Sequence, residues 1–131
     1  MVVVDTTVWI DYLGGMQNDH TSWLHRELGR QPLALTDLIL CEVLQGIRSD
    51  VAFAQVQREL ARFHIFDAGG SNLAVAAAVN YRRLRELGHT VRKTIDCVIA
   101  TFCLEAGFAL LHRDHDFDPF EEHLSLRVVH P

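Results

Sequence analysis

Lysine is almost absent from this 131-residue chain: 11 arginines and one lysine, Lys93, make up its 12 basic residues. Net charge is −5, which argues against a simple basic groove for nucleic acid, because phosphate contacts need Lys and Arg. Distribution tempers that argument, since Arg82, Arg83, Arg85, Arg92 and Lys93 fall within one 12-residue stretch. Arg82, Arg83 and Arg85 read equally well as the solvated face of a helix. Cysteine is scarce too. The 3 cysteines, Cys41, Cys97 and Cys103, are odd in number, sit among apolar residues and form no CxxC pair. That excludes a disulfide framework and a thiolate zinc site, and leaves buried, inert thiols as the expectation. Apolar runs such as residues 38–41 and 108–111 fall far short of the roughly 20 residues that span a bilayer. The N-terminus lacks the basic start and long apolar run of a secretory signal. A protein of the cytoplasm with no membrane association is expected. With no repeat, linker or low-complexity tract visible, residues 1–131 are read as a single domain.

What is present suits a packed core: 49% of residues are hydrophobic and 22% charged. Residues 2–4 are a β-branched run ending at Asp5 and predict a buried strand. Residues 6–13 read as a short helix stopped by Gly14-Gly15. Asp19 or Thr21 is placed to cap a helix reaching Gly29. Residues 32–35 predict a second strand, and Thr36 or Asp37 caps a helix over 38–47. A further helix over 51–63 and an extended piece at 64–66 follow. Ser71 opens a helix ended by Gly88, and Thr94 caps one over 95–106 that Gly107 terminates. Residues 108–111 predict a strand, 112–118 an acidic loop, and 126–129 a last strand. Strands alternating with helices or helix pairs imply an α/β fold, a parallel sheet covered by helices on both faces in three α/β/α layers.

In such sheets ligands bind outside the carboxyl ends of the strands. Asp5 ends the first strand, Asp114 and Asp116 follow the 108–111 strand, and Glu42 and Asp96 lie near the starts of helices. These acids converge on one edge. Carboxylates brought together repel, and a divalent cation such as Mg²⁺ relieves the conflict with oxygen ligands. In nucleases one or two such ions support in-line attack of water on phosphorus. Each acid also has a plainer reading. Asp5 equally caps the following helix. Asp96 alone reads first as a first-turn acid favoured by the helix macrodipole. Glu42 sits in an apolar helix but shares a face with Gln45 and Ser49, so half-exposure is expected. Asp118 reads as a solvated loop acid. The argument rests on joint placement.

His112 and His115 form HxxH in a loop, without the i, i+4 helical spacing of common zinc sites, and contact with RNA or solvent is the preferred reading. A response-regulator receiver would need adjacent acids after the first strand and a late-strand lysine, whereas Asp5 precedes Thr6-Thr7 and Lys93 precedes a helix. A haloacid-dehalogenase-type phosphatase would need an acid where Thr7 stands.

Taken together, Val3-Val4-Asp5-Thr6-Thr7-Val8-Trp9, Cys41-Glu42-Val43, Thr94-Ile95-Asp96-Cys97-Val98-Ile99-Ala100 and Arg113-Asp114-His115-Asp116-Phe117 resemble the PIN-domain ribonucleases, specifically the VapC-type toxins of toxin–antitoxin modules. These segments span nearly the whole chain in the family's order. The resemblance implies an endoribonuclease with Mg²⁺ or Mn²⁺ held by Asp5, Glu42, Asp96 and Asp114, with Asp116 as a fifth acidic member. Thr6 or Thr7 would orient Asp5. It further implies structured RNA substrates such as tRNA or rRNA, a homodimer, and a VapB-like antitoxin through which any DNA contact is made. Trp9, Trp23 and Phe53 are candidate dimer contacts, though each is more often core. His112 departs from the Thr frequent at that position in relatives and bears on local hydrogen bonding. Arg92, Lys93 and Arg113, all beside motif acids, are expected to contact phosphates. A metal-free PIN-like RNA- or protein-binding module is the rival reading, although such modules usually lack one or more of these acids.

Overall fold

The computed structural model describes residues 1–131. The opening β-branched run forms β1 (Val2–Val4), every residue of it buried. Asp5 ends the strand by capping α1 (Thr6–Leu13), its side chain accepting the Thr7 N–H. The next helix, α2 (Asp19–Glu27), starts one residue earlier than expected. Asn18 rather than Asp19 or Thr21 is the cap: its side chain accepts the Thr21 N–H, and the Thr21 hydroxyl accepts the Asn18 N–H in return.

β2 (Leu33–Thr36) is followed by α3 (Asp37–Gln45), capped by Thr36, and α4 (Asp50–Leu60), capped by Ser49. Then come β3 (His64–Phe66), α5 (Ser71–Glu86), α6 (Thr94–Ala106) and β4 (Ala109–Leu111). Thr94 lies inside α6 rather than capping it; Lys93 takes the cap position with no side-chain bond.

The chain's end differs most from expectation. Residues 115–117 form a 3₁₀ turn within the expected acidic loop of 112–118, and Asp118–Leu124 forms the helix α7, for which the sequence reading had no element. Pro119 in the first turn was the available signal, since proline favours helix starts. The strand expected at 126–129 shrinks to one parallel bridge between Leu110 and Val128.

All strand pairs are parallel, in the order β3-β2-β1-β4. α1 to α4 pack among themselves, as do α5 to α7, and the two groups flank the sheet in the α/β/α arrangement. The chain moves outward from β1 to β3 and then returns to the other side of β1. That reversal opens a crevice at the carboxyl edge between β1 and β4, where open parallel sheets place their ligands.

One core of 24 buried residues surrounds the sheet. Trp9 is 1% exposed and packs against Phe63 with ring centroids 5.0 Å apart and planes tilted by 56°, so it is unavailable for a dimer contact; Trp23 is half-buried and Phe53 exposed. Cys97 and Cys103 are buried, and burial pushes the Cys103 thiol up to about 12. Cys41 is exposed, contrary to expectation, because its position on α3 faces away from Ile39 and Val43. No helix is long and apolar enough to cross a membrane.

Candidate active site

Asp5 caps α1, the plainer of the two roles its sequence position allowed. Its Oδ2 accepts the Thr7 N–H at 3.1 Å, capping α1, and the Thr7 hydroxyl at 2.7 Å. The Thr7 hydroxyl in turn accepts the backbone N–H of Arg113 at 3.1 Å, so one side chain ties the end of β1 to the loop after β4. Thr6 does something different from the expected orientation of Asp5: its hydroxyl donates to Glu42 Oε1 at 2.7 Å, fixing a half-buried carboxylate on α3.

Asp96 lies in the first turn of α6 and is 5% exposed. Its Oδ2 is buried without a hydrogen-bond partner. Burial is the main cause that pushes its carboxyl up to about 7, and the charges of Asp5, Asp114 and Glu42 add to it. Lys93 acts in the opposite direction. The macrodipole of α6 favours the ionised form, but desolvation and three neighbouring acids outweigh it. Asp5 is likewise held at about 6, raised by burial and by Glu42 against the lowering effect of its bonds to Thr7.

Asp114 caps the 3₁₀ turn, accepting the Asp116 N–H on Oδ1 at 2.9 Å. Carboxylate oxygens of Asp96, Asp114 and Asp116 lie within 4.8 Å of one another. These three form the tight group, while Asp5 and Glu42 lie outside it but close enough for their charges to raise the Asp96 carboxyl. The set is all oxygen and partly desolvated, and one buried acceptor is unpaired. It fits a hard divalent cation, whose octahedral ligands stand about 2.1 Å from the ion and hence roughly 3–4 Å from each other.

The basic residues are less free than the sequence implied. Arg92 pairs with Asp116 at 2.8 Å while remaining largely exposed. Arg113 bonds to Asp11. Lys93 is exposed and has no ion pair. Arg82, Arg83 and Arg85 are exposed on α5, with the Arg85 guanidinium 5.7 Å above the Tyr81 ring.

One supporting residue, Asp11, was absent from the sequence expectations. Asp11 anchors Arg113 and accepts from the Asn18 amide at 3.2 Å. Its signal was its i+4 spacing from Thr7, which puts both on the face of α1 that meets residue 113. His112 is buried, not presented to RNA or solvent: its Nδ1 accepts the Asp114 N–H at 3.1 Å and its ring packs 4.9 Å from Phe117. Burial lowers its pKa, so it is a neutral support for Asp114. His115 is exposed and pairs with Asp118 at 2.8 Å.

Comparison with known proteins bears on the family and the fold. The family model for the PIN domain matches residues 2–122. Ribonuclease VapC11 of Mycobacterium tuberculosis is 29% identical over 120 residues, covering 90% of each chain. Among solved structures, VapBC2 of Rickettsia felis, bound to a DNA fragment from its promoter, matches with a TM-score of 0.78 at 14% identity, covering 98% of both chains. VapC20 of Mycobacterium tuberculosis, a toxin that cleaves the sarcin–ricin loop, matches with a TM-score of 0.64 at 20% identity over 90% of this chain and 93% of that one. The chain belongs to the PIN-domain family.

Proposed function

We propose that this protein is a Mg²⁺-dependent endoribonuclease, the toxin of a type II toxin–antitoxin pair, hydrolysing phosphodiester bonds of structured RNA. The observation that carries the reading is the buried, unpartnered Asp96 Oδ2 facing Asp5, Glu42 and Asp114. Left to themselves these groups are poorly stabilised as anions: Asp96, raised to about 7, is about half protonated near neutrality, and Asp5, raised to about 6, takes up its proton below that.

Asp5, Glu42, Asp96 and Asp114 would hold Mg²⁺, or Mn²⁺ in its place, with Asp116 joining when released by Arg92. When bound, the ion supplies Lewis-acid stabilisation of the phosphodiester and raises the acidity of its water. Thr7 and Thr6 fix the orientation of Asp5 and Glu42, so little reorganisation is needed at the reacting phosphate. Lys93 offers an exposed cation beside the acids for the RNA backbone. Arg92 and Arg113 would exchange their carboxylate partners for phosphate.

Similarity to VapC ribonucleases, including a toxin that cleaves the sarcin–ricin loop, supports rRNA or tRNA as the substrate class. The likeness to VapBC complexes supports a VapB-like antitoxin as partner, with DNA reached through it; a homodimer as the active unit is proposed from the family resemblance alone. Action on such RNA would call for a cytoplasmic protein.

The test is incubation of purified, antitoxin-free protein with total cellular RNA, with Mg²⁺ or with chelator, beside Asp96→Asn. Discrete fragments from wild type with metal alone are expected. Absence of cleavage by folded, metal-loaded protein would replace this reading with a non-catalytic PIN-like binding module.

A further inference from the structure

A second cluster of metal-type donors lies away from the carboxylate crevice, on the opposite end of the α5–α6 connection. His89 is placed by the termination of α5: Gly88 takes φ +89°, its N–H bonds to the Arg85 carbonyl, and the His89 N–H bonds to the Leu84 carbonyl at 2.8 Å. This is a Schellman stop, which only a left-handed residue such as Gly88 makes without strain, and it fixes the His89 backbone. His123 stands in the last turn of α7. The two rings face each other, centroids 4.7 Å apart, with Nε2 to Nε2 at 2.9 Å. Glu122 brings a carboxylate oxygen to 3.7 Å from His123 Nε2. Donor atoms of all three residues lie within 4.8 Å of one another.

We infer that His89, His123 and Glu122 form a binding site for a borderline first-row divalent ion, with Zn²⁺ as the reference ligand. Zinc–imidazole bonds of about 2.0–2.1 Å at a tetrahedral angle separate two nitrogens by about 3.3 Å, so each ring needs to move only a few tenths of an ångström. Two imidazoles and one carboxylate leave a fourth position for water. Imidazole donors select against Mg²⁺, which the all-oxygen crevice prefers, so the two sites differ in the ion they take. An ion here would clamp the α5–α6 loop to α7. The same loop carries Arg92, and His89, Arg92 and Asp116 line one cleft. The site therefore sits where fixing the loop also fixes the Arg92–Asp116 pair at the rim of the crevice.

The experiment is zinc titration of the whole chain against a chromophoric chelator, in excess Mg²⁺, for wild type, His89→Ala, His123→Gln and the double variant Asp96→Asn/Asp116→Asn. Circular dichroism establishes that each is folded. Wild type and the acid double variant are expected to bind a tight zinc equivalent, while either histidine change lowers its affinity by about a hundredfold or more. Co²⁺ in place of Zn²⁺ should give visible bands that the histidine variants lose. Should wild type bind no tight zinc, or the histidine variants bind it equally well, the site does not exist and the contact is a hydrogen bond between imidazoles. Loss of the tight equivalent in the acid double variant alone would place the ion in the crevice and equally overturn the assignment.

Discussion

Replacing Asp96 by Asn should stabilise the metal-free protein at alkaline pH and abolish its stabilisation by metal. Asp96 has a carboxyl pushed up from 3.8 to about 7, chiefly by burial. Between those values the folded state keeps a proton that the unfolded state releases. Stability from this group is thus complete below about pH 4 and is lost as pH rises through about 7. The shift corresponds to roughly 4 kcal/mol of penalty on the ionised form. Asn removes the charge, and its amide can donate to a facing carboxylate where Oδ2 now has no partner. Part of the penalty is repulsion shared with Asp5 and Asp114, so the expected gain at pH 8 in chelator is about 2–4 kcal/mol. For a chain of this size that raises Tm by roughly 8–16 °C. Near pH 5 the gain should shrink to about two-fifths of that, and below about pH 4 it should vanish. Saturating Mg²⁺ at a hundredfold over Kd should return about 3 kcal/mol to wild type and nothing comparable to the variant. Thermal melts at pH 5 and 8, in chelator and in Mg²⁺, read all four quantities. A variant less stable than wild type at pH 8 without metal, or a difference independent of pH, would refute the reasoning.

Thr7→Val removes a hydroxyl that bonds Asp5 and accepts the Arg113 N–H, and should cost about 1–2 kcal/mol in melting experiments. Because those bonds lower the Asp5 pKa, the acidic limb of the pH–activity profile should also move to higher pH. His112→Ala removes the ring nitrogen that accepts the Asp114 N–H and opens space beside Phe117; denaturant unfolding should show a loss of about 1–3 kcal/mol, with weaker metal binding. Metal binding to the wild type at pH 6 should release protons from Asp5 and Asp96, so calorimetric enthalpies should vary with the ionisation enthalpy of the buffer. Arg92→Gln should leave Tm nearly unchanged, because the pair with Asp116 is exposed, but should weaken RNA binding and flatten its salt dependence.

The parts of this protein legible in sequence were those where local chemistry and tertiary placement agree. Val2, Val3 and Val4 followed by Asp5 specify a buried strand ending in a helix cap, and the structure makes them that. The spread of Glu42, Asp96 and Asp114 over separate elements became a site only through the parallel arrangement, which places strand ends and helix starts at one edge. What escaped depends on contacts between distant residues. Thr6 and Thr7 are adjacent and chemically alike, yet the 100° turn between them on α1 sends one to Glu42 and the other to Asp5. Arg113 looks free in sequence because its partner Asp11 is 102 residues away. His112 looks like a surface histidine because nothing local reveals that Phe117 folds back over it. The helix at 118–124 starts inside the acidic 112–118 segment, and beyond it only Pro119 and the Phe120–Leu124 spacing signal helix locally.

The most direct test of the central claim is cleavage rate and metal occupancy measured on the same preparation. RNA of defined sequence is titrated with Mg²⁺ for wild type, Asp5→Asn and Asp96→Asn. Cleavage by wild type that rises with metal occupancy, and loss of both occupancy and cleavage in each folded variant, is the predicted result. Undiminished cleavage by either variant, or cleavage by wild type in chelator, would contradict the assignment of these carboxylates as the metal-dependent site.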